Sequence, residues 1–280
     1  MTTTAPRTSA AVDAQDRITQ NAIEVAGVRV GYDRRVICED VSLTIPAGGY
    51  TAIIGPNACG KSTLLRAVAR ILPHAVGSIL LDGQDISSIP TKKLATRLGL
   101  LPQSSLSPEG IRVADLVARG RYPHQGMFDR WSKTDEQIVV EAMAATGISD
   151  LSGRPVDELS GGQRQRVWVA MVLAQQTPTL LLDEPTTFLD ITHQYGLLEL
   201  FETLRRELER TIVVVLHDLN QAARYASHLI VMKDGDIVTA GPPSEIITAE
   251  LIDEVYELPC RIVPDPETGA PMVIPKAVLR

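Results

Sequence analysis

An eight-residue stretch, Gly55–Ser62, combines glycine, lysine and serine at the spacing of a phosphate-binding loop. In such a loop the backbone N–H groups wrap around phosphate oxygens, and the helix that follows contributes its positive N-terminal end. Lys61 supplies a point charge for the β and γ phosphates, and the Ser62 hydroxyl can bind magnesium. We therefore predict a nucleotide phosphate site formed by Gly55, Pro56, Asn57, Ala58, Cys59, Gly60, Lys61, Ser62 and Thr63.

Two adjacent carboxylates, Asp183 and Glu184, end an apolar run that begins at Thr179. Neighbouring side chains on a strand point in opposite directions, so Asp183 can face a metal ion while Glu184 reaches the water that attacks a γ-phosphate. Taken alone, the pair could equally be a solvated turn. Downstream of a phosphate-binding loop, it indicates the ligand-binding end of a buried parallel strand.

A third candidate anion site is the pentapeptide Leu159–Gln163, which precedes a helical pattern carrying Arg164 and Arg166. It offers an anion the Ser160 hydroxyl, two flexible glycines and a helix N-terminus. The alternative interpretation of the pentapeptide is an ordinary capped turn.

The elements that must position these residues follow from the hydrophobic pattern. Short β-branched runs alternate with helical stripes, which is typical of a mainly parallel sheet covered by helices. The predicted core strands are 51–54, 97–101, 179–183, 211–216 and 229–232. Earlier runs at 22–25, 28–31, 41–45 and 77–81 are expected to follow one another through turns, with no helix between them, which indicates an antiparallel subdomain.

These patterns predict an α/β fold: a P-loop NTPase (RecA-like) core with an antiparallel β subdomain and an inserted helical subdomain at about 104–158. Residues 1–21 lack an apolar segment and are expected to form a disordered tail. The catalytic domain is expected to span 22–260, and residues 261–280 to form a Pro-containing C-terminal tail.

Composition excludes several classes of protein. The chain has 280 residues, a net charge of -7 and no apolar run long enough to span a bilayer, so we expect neither a membrane span nor a nucleic acid partner. Three widely spaced cysteines do not suit a disulfide framework or a clustered zinc site. They are compatible with a reducing cytoplasm.

Together, the phosphate loop, the carboxylate pair and the pentapeptide Leu159–Gln163 closely resemble the nucleotide-binding subunits of ATP-binding cassette (ABC) transporters, over about residues 22–260. The resemblance implies ATP and Mg²⁺ as cofactors, with Ser62, Gln103 and Asp183 at the metal. It implies catalytic roles for Glu184, His217 and Gln103, and adenine stacking on Tyr32. In this family, the pentapeptide that corresponds to Leu159–Gln163 is called the signature. The signature of one subunit covers the ATP held by the other. A homodimer is thus implied, in which Ser160, Gly161, Gly162 and Gln163 reach the partner's nucleotide and Asp190 contacts the opposite subunit.

The phosphate loop departs from the family pattern at Ala58, and Cys59 beside Gly60 is a further, variable position. Close relatives commonly have glycine at the position of Ala58, and alanine disfavours a positive φ. Either Ala58 has a negative φ or the loop is slightly strained. The neighbouring Cys59 thiol is expected to be reachable in the empty site.

Finer resemblance concerns the cargo. The segments 118–126, 187–194, 217–222 and 260–266 resemble ATPases that energise iron(III)-siderophore uptake, with haem or cobalamin import as alternatives. The resemblance implies separate integral-membrane permease subunits, an extracytoplasmic substrate-binding protein and a peripheral position on the cytoplasmic face of the membrane. A P-loop GTPase is disfavoured because the chain has no Asn-Lys-x-Asp motif, and a non-transport ABC ATPase because it lacks a long coiled-coil insertion.

Overall fold

The computed structural model describes residues 21–33, 35–103, 107–126 and 131–277. The predicted N-terminal tail therefore lies outside the described residues, except for Asn21, which begins the first strand. Within the described part, no helix is both long and apolar enough to span a bilayer.

The strands form three sheets. In chain order they are β1 (Asn21–Tyr32), β2 (Arg35–Pro46), β3 (Tyr50–Ile54), β4 (Val76–Leu81), β5 (Gln84–Asp85), β6 (Leu98–Leu101), β7 (Thr179–Asp183), β8 (Thr211–Val215), β9 (His228–Lys233), β10 (Asp236–Gly241), β11 (Cys260–Pro264) and β12 (Pro271–Pro275). The central sheet has the order β10-β9-β3-β8-β7-β6, and all its neighbours are parallel except the β9–β10 hairpin. An antiparallel sheet of order β2-β1-β4-β5 lies beside it, and β11 pairs with β12.

The α-helices connect these strands and fill the insertion between β6 and β7. They are α1 (Lys61–Val68), α2 (Thr91–Leu94), α3 (Val113–Ala118), α4 (Lys133–Ala145), α5 (Gly161–Ala174), α6 (Ile191–Leu208), α7 (Leu219–Tyr225), α8 (Pro243–Ile246) and α9 (Ala249–Tyr256). Short 3₁₀ helices occupy Arg119–His124, Ser149–Leu151 and Val156–Glu158.

The hydrophobic core has two parts, one on each face of the central sheet. Along β7, Leu180 and Leu182 join the part that includes the inserted helices, whereas Leu181 joins the part that includes the antiparallel sheet and α1. Alternate residues of a strand face opposite sides, and here both sides are covered. This explains why the core strands consist of continuous apolar runs.

The early strands differ from the sequence prediction. The two runs at 22–25 and 28–31 form one continuous strand, β1, whose register with β2 shifts between Val25 and Val28. Gly27, with φ +58°, lies at this bulge. The break in the hydrophobic pattern therefore indicates an extra residue within one strand and not a turn between two.

The C-terminal region also differs. In the described part of the predicted C-terminal tail, β11 and β12 form an antiparallel hairpin that contacts α7. Asn220 Nδ2 donates to the Val273 carbonyl at 3.2 Å, and the Val273 N–H donates to Asn220 Oδ1 at 2.7 Å. Pro264, Pro271 and Pro275 lie at the ends of the two strands, where they do not interrupt the pairing.

Candidate active site

The sequence-predicted residues converge because four neighbouring parallel strands end at one edge of the central sheet. The phosphate loop follows β3, Glu184 follows β7, His217 comes two residues after β8, and Gln103 comes two residues after β6. Ligands bind at the carboxyl ends of such strands. Here a cavity of about 780 Å³ is lined by Asn57, Ala58, Cys59, Gly60, Lys61, Ser62, Thr63, Gln103, Glu184 and His217, together with Arg35 and Ile37.

The Lys61 ammonium group lies inside the phosphate loop. Its Nζ donates to the carbonyl oxygens of Gly55 at 2.8 Å and Pro56 at 2.7 Å, and the residue is only 5% exposed. Within the described residues, no carboxylate forms an ion pair with it. A buried cation without a counter-ion strongly favours an anionic ligand, and the N-terminal end of α1 favours the same charge.

The backbone of the loop is strained at Ala58. Its φ is +63°, so the second of the two alternatives holds: the alanine occupies a left-handed conformation that disfavours a Cβ atom. Gly55 is required for a different reason. A Cβ atom there would lie 2.1 Å from the carbonyl oxygen of Met232 on the adjacent strand. The loop therefore accepts alanine at 58 at an energetic cost but excludes it at 55.

The expectation that the Cys59 thiol is reachable is wrong. Cys59 is 4% exposed, and its Sγ lies 3.9 Å from Lys61 Nζ. Burial raises the pKa of this thiol, although the Lys61 charge opposes the shift. Cys59 thus lies at the cavity, but its thiol is buried in the loop and is not open to solvent.

Asp183 and Ser62 form a polar pair at the end of β7. Ser62 Oγ donates to Asp183 Oδ1 at 2.7 Å, while Oδ2 is buried and has no hydrogen-bond partner. Burial raises the pKa of Asp183, and the Ser62 hydrogen bond opposes this rise. A hydroxyl beside an orphaned carboxylate oxygen fits Mg²⁺, which takes oxygen ligands and completes its shell with phosphate and water. Among the described residues no cluster of three His, Cys, Asp or Glu side chains is placed to hold a metal, so phosphate or water oxygens would have to supply the remaining ligands.

Glu184 and His217 are in direct contact. His217 Nε2 lies 2.7 Å from Glu184 Oε1, and Thr187 Oγ1 donates to Glu184 Oε2 at 3.4 Å. The backbone of Glu184 has φ +53°, an uncommon conformation that clusters at functional sites. Glu184 and Ser62 both line the cavity. The Glu184 carboxylate can accept a proton from a water molecule, and the His217 imidazole can hold a phosphate oxygen.

Tyr32 lies next to this cavity and not within it. It lines an adjacent cavity of about 620 Å³ that shares Arg35 with the first. The ring is 41% exposed, and its hydroxyl accepts a hydrogen bond from Arg66 Nη1 at 3.0 Å. An exposed aromatic ring next to a phosphate site offers a stacking surface to a base.

The signature residues are not part of the cavity that contains Lys61. Ser160 caps α5: its Oγ accepts from the Gln163 N–H at 3.3 Å, and Gln163 Oε1 accepts from the Ser160 N–H at 3.1 Å. Asp190 likewise caps α6 and accepts from His193. Ser160, Gly161 and Asp190 are exposed to solvent. One chain therefore does not bring the signature and the phosphate loop together.

Sequence reasoning missed two cavity residues, Arg35 and Ile37. They belong to β2, and only the pairing of the antiparallel sheet carries them to the loop; no local motif marks them. It also missed Gln165, whose Nε2 donates to the Pro185 carbonyl at 3.1 Å and links the signature helix to the segment after Glu184.

Comparison with known proteins decides the family. The family model described as ABC transporter matches residues 38–187. The chain belongs to the ABC transporter family. Its relatives are ATP-binding subunits, and the chain is an ATPase of this kind.

Several ABC relatives are similar over nearly their whole length. The ferric enterobactin transport ATP-binding protein FepC of Escherichia coli is 56% identical, over 88% of this chain and 91% of FepC. The petrobactin import ATP-binding protein FpuD of Bacillus anthracis is 47% identical, over 91% of this chain and 94% of FpuD. The hemin import ATP-binding protein HmuV of Streptomyces coelicolor is 44% identical, over 89% of this chain and 88% of HmuV.

Solved ABC structures have the same fold. The dimeric structure of the bacterial ABC transporter cassette MJ0796 matches with a TM-score of 0.72 and 25% sequence identity, over 79% of this chain and 98% of that chain. The α/β architecture with a P-loop core is thus confirmed.

Proposed function

We propose that this ABC ATPase energises the import of iron(III)-siderophore complexes, as a homodimer bound to permease subunits at the cytoplasmic face of the membrane. The observation that carries the proposal is the buried Lys61 ammonium within a phosphate loop that opens toward Glu184 and His217. This is a site for hydrolysing a bound triphosphate, and the similarity to FepC gives the cargo class.

In the proposed reaction, Tyr32 stacks on adenine and the loop residues hold the phosphates. Ser62, Asp183 and Gln103 would hold Mg²⁺, which neutralises charge on the β and γ phosphates when bound. Glu184 accepts a proton from the attacking water, and His217 contacts the γ-phosphate. The 2.7 Å contact between His217 Nε2 and Glu184 Oε1 supports these two roles, because it places the proposed proton acceptor and the proposed phosphate contact side by side at the cavity.

The dimer is proposed because the site is incomplete in one chain. The exposed Ser160 and Gly161 present a helix N-terminus to solvent, outside the cavity that holds Lys61. A second copy that places this end over the γ-phosphate would complete an anion site at each interface. The similarity to a dimeric ABC cassette supports this arrangement. ATP then joins the two chains, and hydrolysis releases them.

The cargo is proposed from the relatives. FepC is named for ferric enterobactin and FpuD for petrobactin, whereas the somewhat less similar HmuV is named for hemin. Haem import is therefore the second candidate. Selection of the chelate is expected to lie in the permease and in an extracytoplasmic binding protein, not in the ATPase.

The test is uptake of radiolabelled ferric siderophore, haem and cobalamin in a strain that lacks this gene. Wild-type protein should restore ferric siderophore uptake, and Glu184→Gln should not. Glu207→Gln is a matched control, since Glu207 is exposed on α6 and its Oε1 lies 3.5 Å from Arg206 Nη2. This control should restore uptake fully. Intact ferric siderophore uptake with loss of haem or cobalamin uptake would overturn the cargo proposal.

A further inference from the structure

Two glutamine side chains connect the helix that follows Asp190 to the helix that follows His217. Gln221 Nε2 on α7 donates to Gln194 Oε1 on α6 at 2.9 Å. Gln194 Nε2 in turn donates to the carbonyl oxygen of Leu189 at 3.0 Å. A continuous series of hydrogen bonds thus runs from α7 to the backbone immediately before Asp190.

The direction of these hydrogen bonds is fixed by chemistry. Because the Leu189 carbonyl can only accept, Gln194 must turn its NH₂ group toward it and its oxygen toward Gln221. Gln221 is 4% exposed, and a buried amide without a partner is costly. The pair therefore has one favoured arrangement, which holds α7 at a set distance from Leu189.

Both ends of this connection are anchored next to functional residues. Asp218 directly follows His217 and caps α7: its Oδ1 accepts from the N–H groups of Asn220 and Gln221 at 2.8 and 2.9 Å. At the other end, Asp190 directly follows Leu189 and caps α6. A change in the Gln194–Gln221 distance would therefore move His217 relative to Asp190.

We propose that Gln194 and Gln221 are positioning residues for ATP hydrolysis. Their hydrogen bond keeps His217, which directly precedes the capping residue of α7, in contact with Glu184. It also links α7 to the backbone at Leu189 and Asp190. The two glutamines act through other groups, because neither lines the cavity that contains Lys61. The inference rests on the ATPase activity of the family and adds two residues to the site.

The structure also supplies a control on the same helix. Asn220 fastens the opposite side of α7 to the C-terminal hairpin through its two hydrogen bonds with Val273. It makes no contact with Gln194 among the described hydrogen bonds. Loss of Asn220 therefore loosens α7 without breaking the connection to Leu189.

The experiment compares steady-state ATP hydrolysis by wild type, Gln194→Ala, Gln221→Ala, the double variant and Asn220→Ala, with ATP affinity and thermal midpoint measured for each. Each single glutamine variant should lose about fivefold in kcat with KM and ATP affinity unchanged, which is the effect of one hydrogen bond on the barrier. The double variant should lose no more than the singles, because the two side chains act as one unit. Asn220→Ala should lower the thermal midpoint and leave kcat unchanged.

A further variant tests the connection to Leu189. With its carboxylate ionised, Gln221→Glu can pair with Gln194 only if Gln194 turns its NH₂ group away from Leu189; kcat is therefore compared at alkaline pH, where a protonated carboxyl that could donate to Gln194 is not formed. Gln221→Glu should then lose as much kcat as Gln194→Ala. Unchanged kcat in Gln221→Glu, additive losses in the double variant, or an equal kcat loss in Asn220→Ala would each overturn the proposal. Absence of ATP hydrolysis by the wild type would instead refute the ATPase function itself.

Discussion

Replacing Ala58 by glycine should stabilise the protein, although glycine usually destabilises. Ala58 has φ +63°, and its methyl group is exposed, so the substitution removes strain without removing packing. A left-handed conformation costs an L-residue roughly 1–2 kcal/mol. Glycine also lowers the free energy of unfolding by about 0.4–1 kcal/mol, because the unfolded chain has more conformational freedom with glycine than with alanine.

The net gain is therefore about 0.5–1 kcal/mol, which corresponds to a rise of about 1–2 °C in the thermal midpoint for a chain of this length. ATP affinity should not change, because the loop already has the backbone conformation that glycine prefers. The assay is thermal unfolding without nucleotide, together with a titration of fluorescent ATP.

Ala69→Gly is the matched control. Ala69 is the C-cap residue of α1, the helix that follows the phosphate loop, and its φ is −73°. Glycine there should lower stability by roughly 0.5–1 kcal/mol, because no strain is relieved. The two variants should thus shift the midpoint in opposite directions. A fall in midpoint for Ala58→Gly of the same size as for Ala69→Gly would refute the reasoning.

Three further outcomes are expected. Lys61→Ala should weaken ATP binding on the order of tenfold or more in a fluorescence titration, since it removes a charge-assisted contact with phosphate; equal affinity would contradict its role. Maleimide should not label Cys59 or Cys38 in the folded protein, because both are buried and burial raises the pKa of Cys38 to about 11; rapid labelling before denaturation would contradict their placement. Arg121→Met should destabilise the protein by about 3 kcal/mol in urea unfolding, because it leaves Asp135 buried without its 2.9 Å ion pair; a stability equal to wild type would be inconsistent with that burial.

The features that sequence reasoning predicted well depend on local patterns. The strands before the phosphate loop and before Asp183 are continuous apolar runs because both faces of the sheet are buried. Their ends therefore mark the edge at which the site forms. The loop, the carboxylate pair and the helix stripes all follow from spacing within a few residues.

The features that sequence reasoning missed depend on contacts between distant segments. Cys59 is buried in the part of the core that also contains residues of β1, β2 and β9, and Ala58 with its φ of +63° directly precedes it. The C-terminal hairpin is held by Asn220, which lies 53 residues from Val273 in the chain. The Gln194–Gln221 hydrogen bond likewise spans 27 residues. No local propensity encodes such pairings.

In the proposed function, one chain binds ATP and a second copy completes the site. The most direct test is light scattering on Glu184→Gln, which keeps the shape of the side chain but removes the carboxylate that we propose accepts a proton from water. With ATP and Mg²⁺ the variant should elute with twice the 30.4 kDa mass of the chain, and the double variant with Lys61→Ala should not. A Glu184→Gln protein that binds ATP but keeps the mass of one chain would contradict the account.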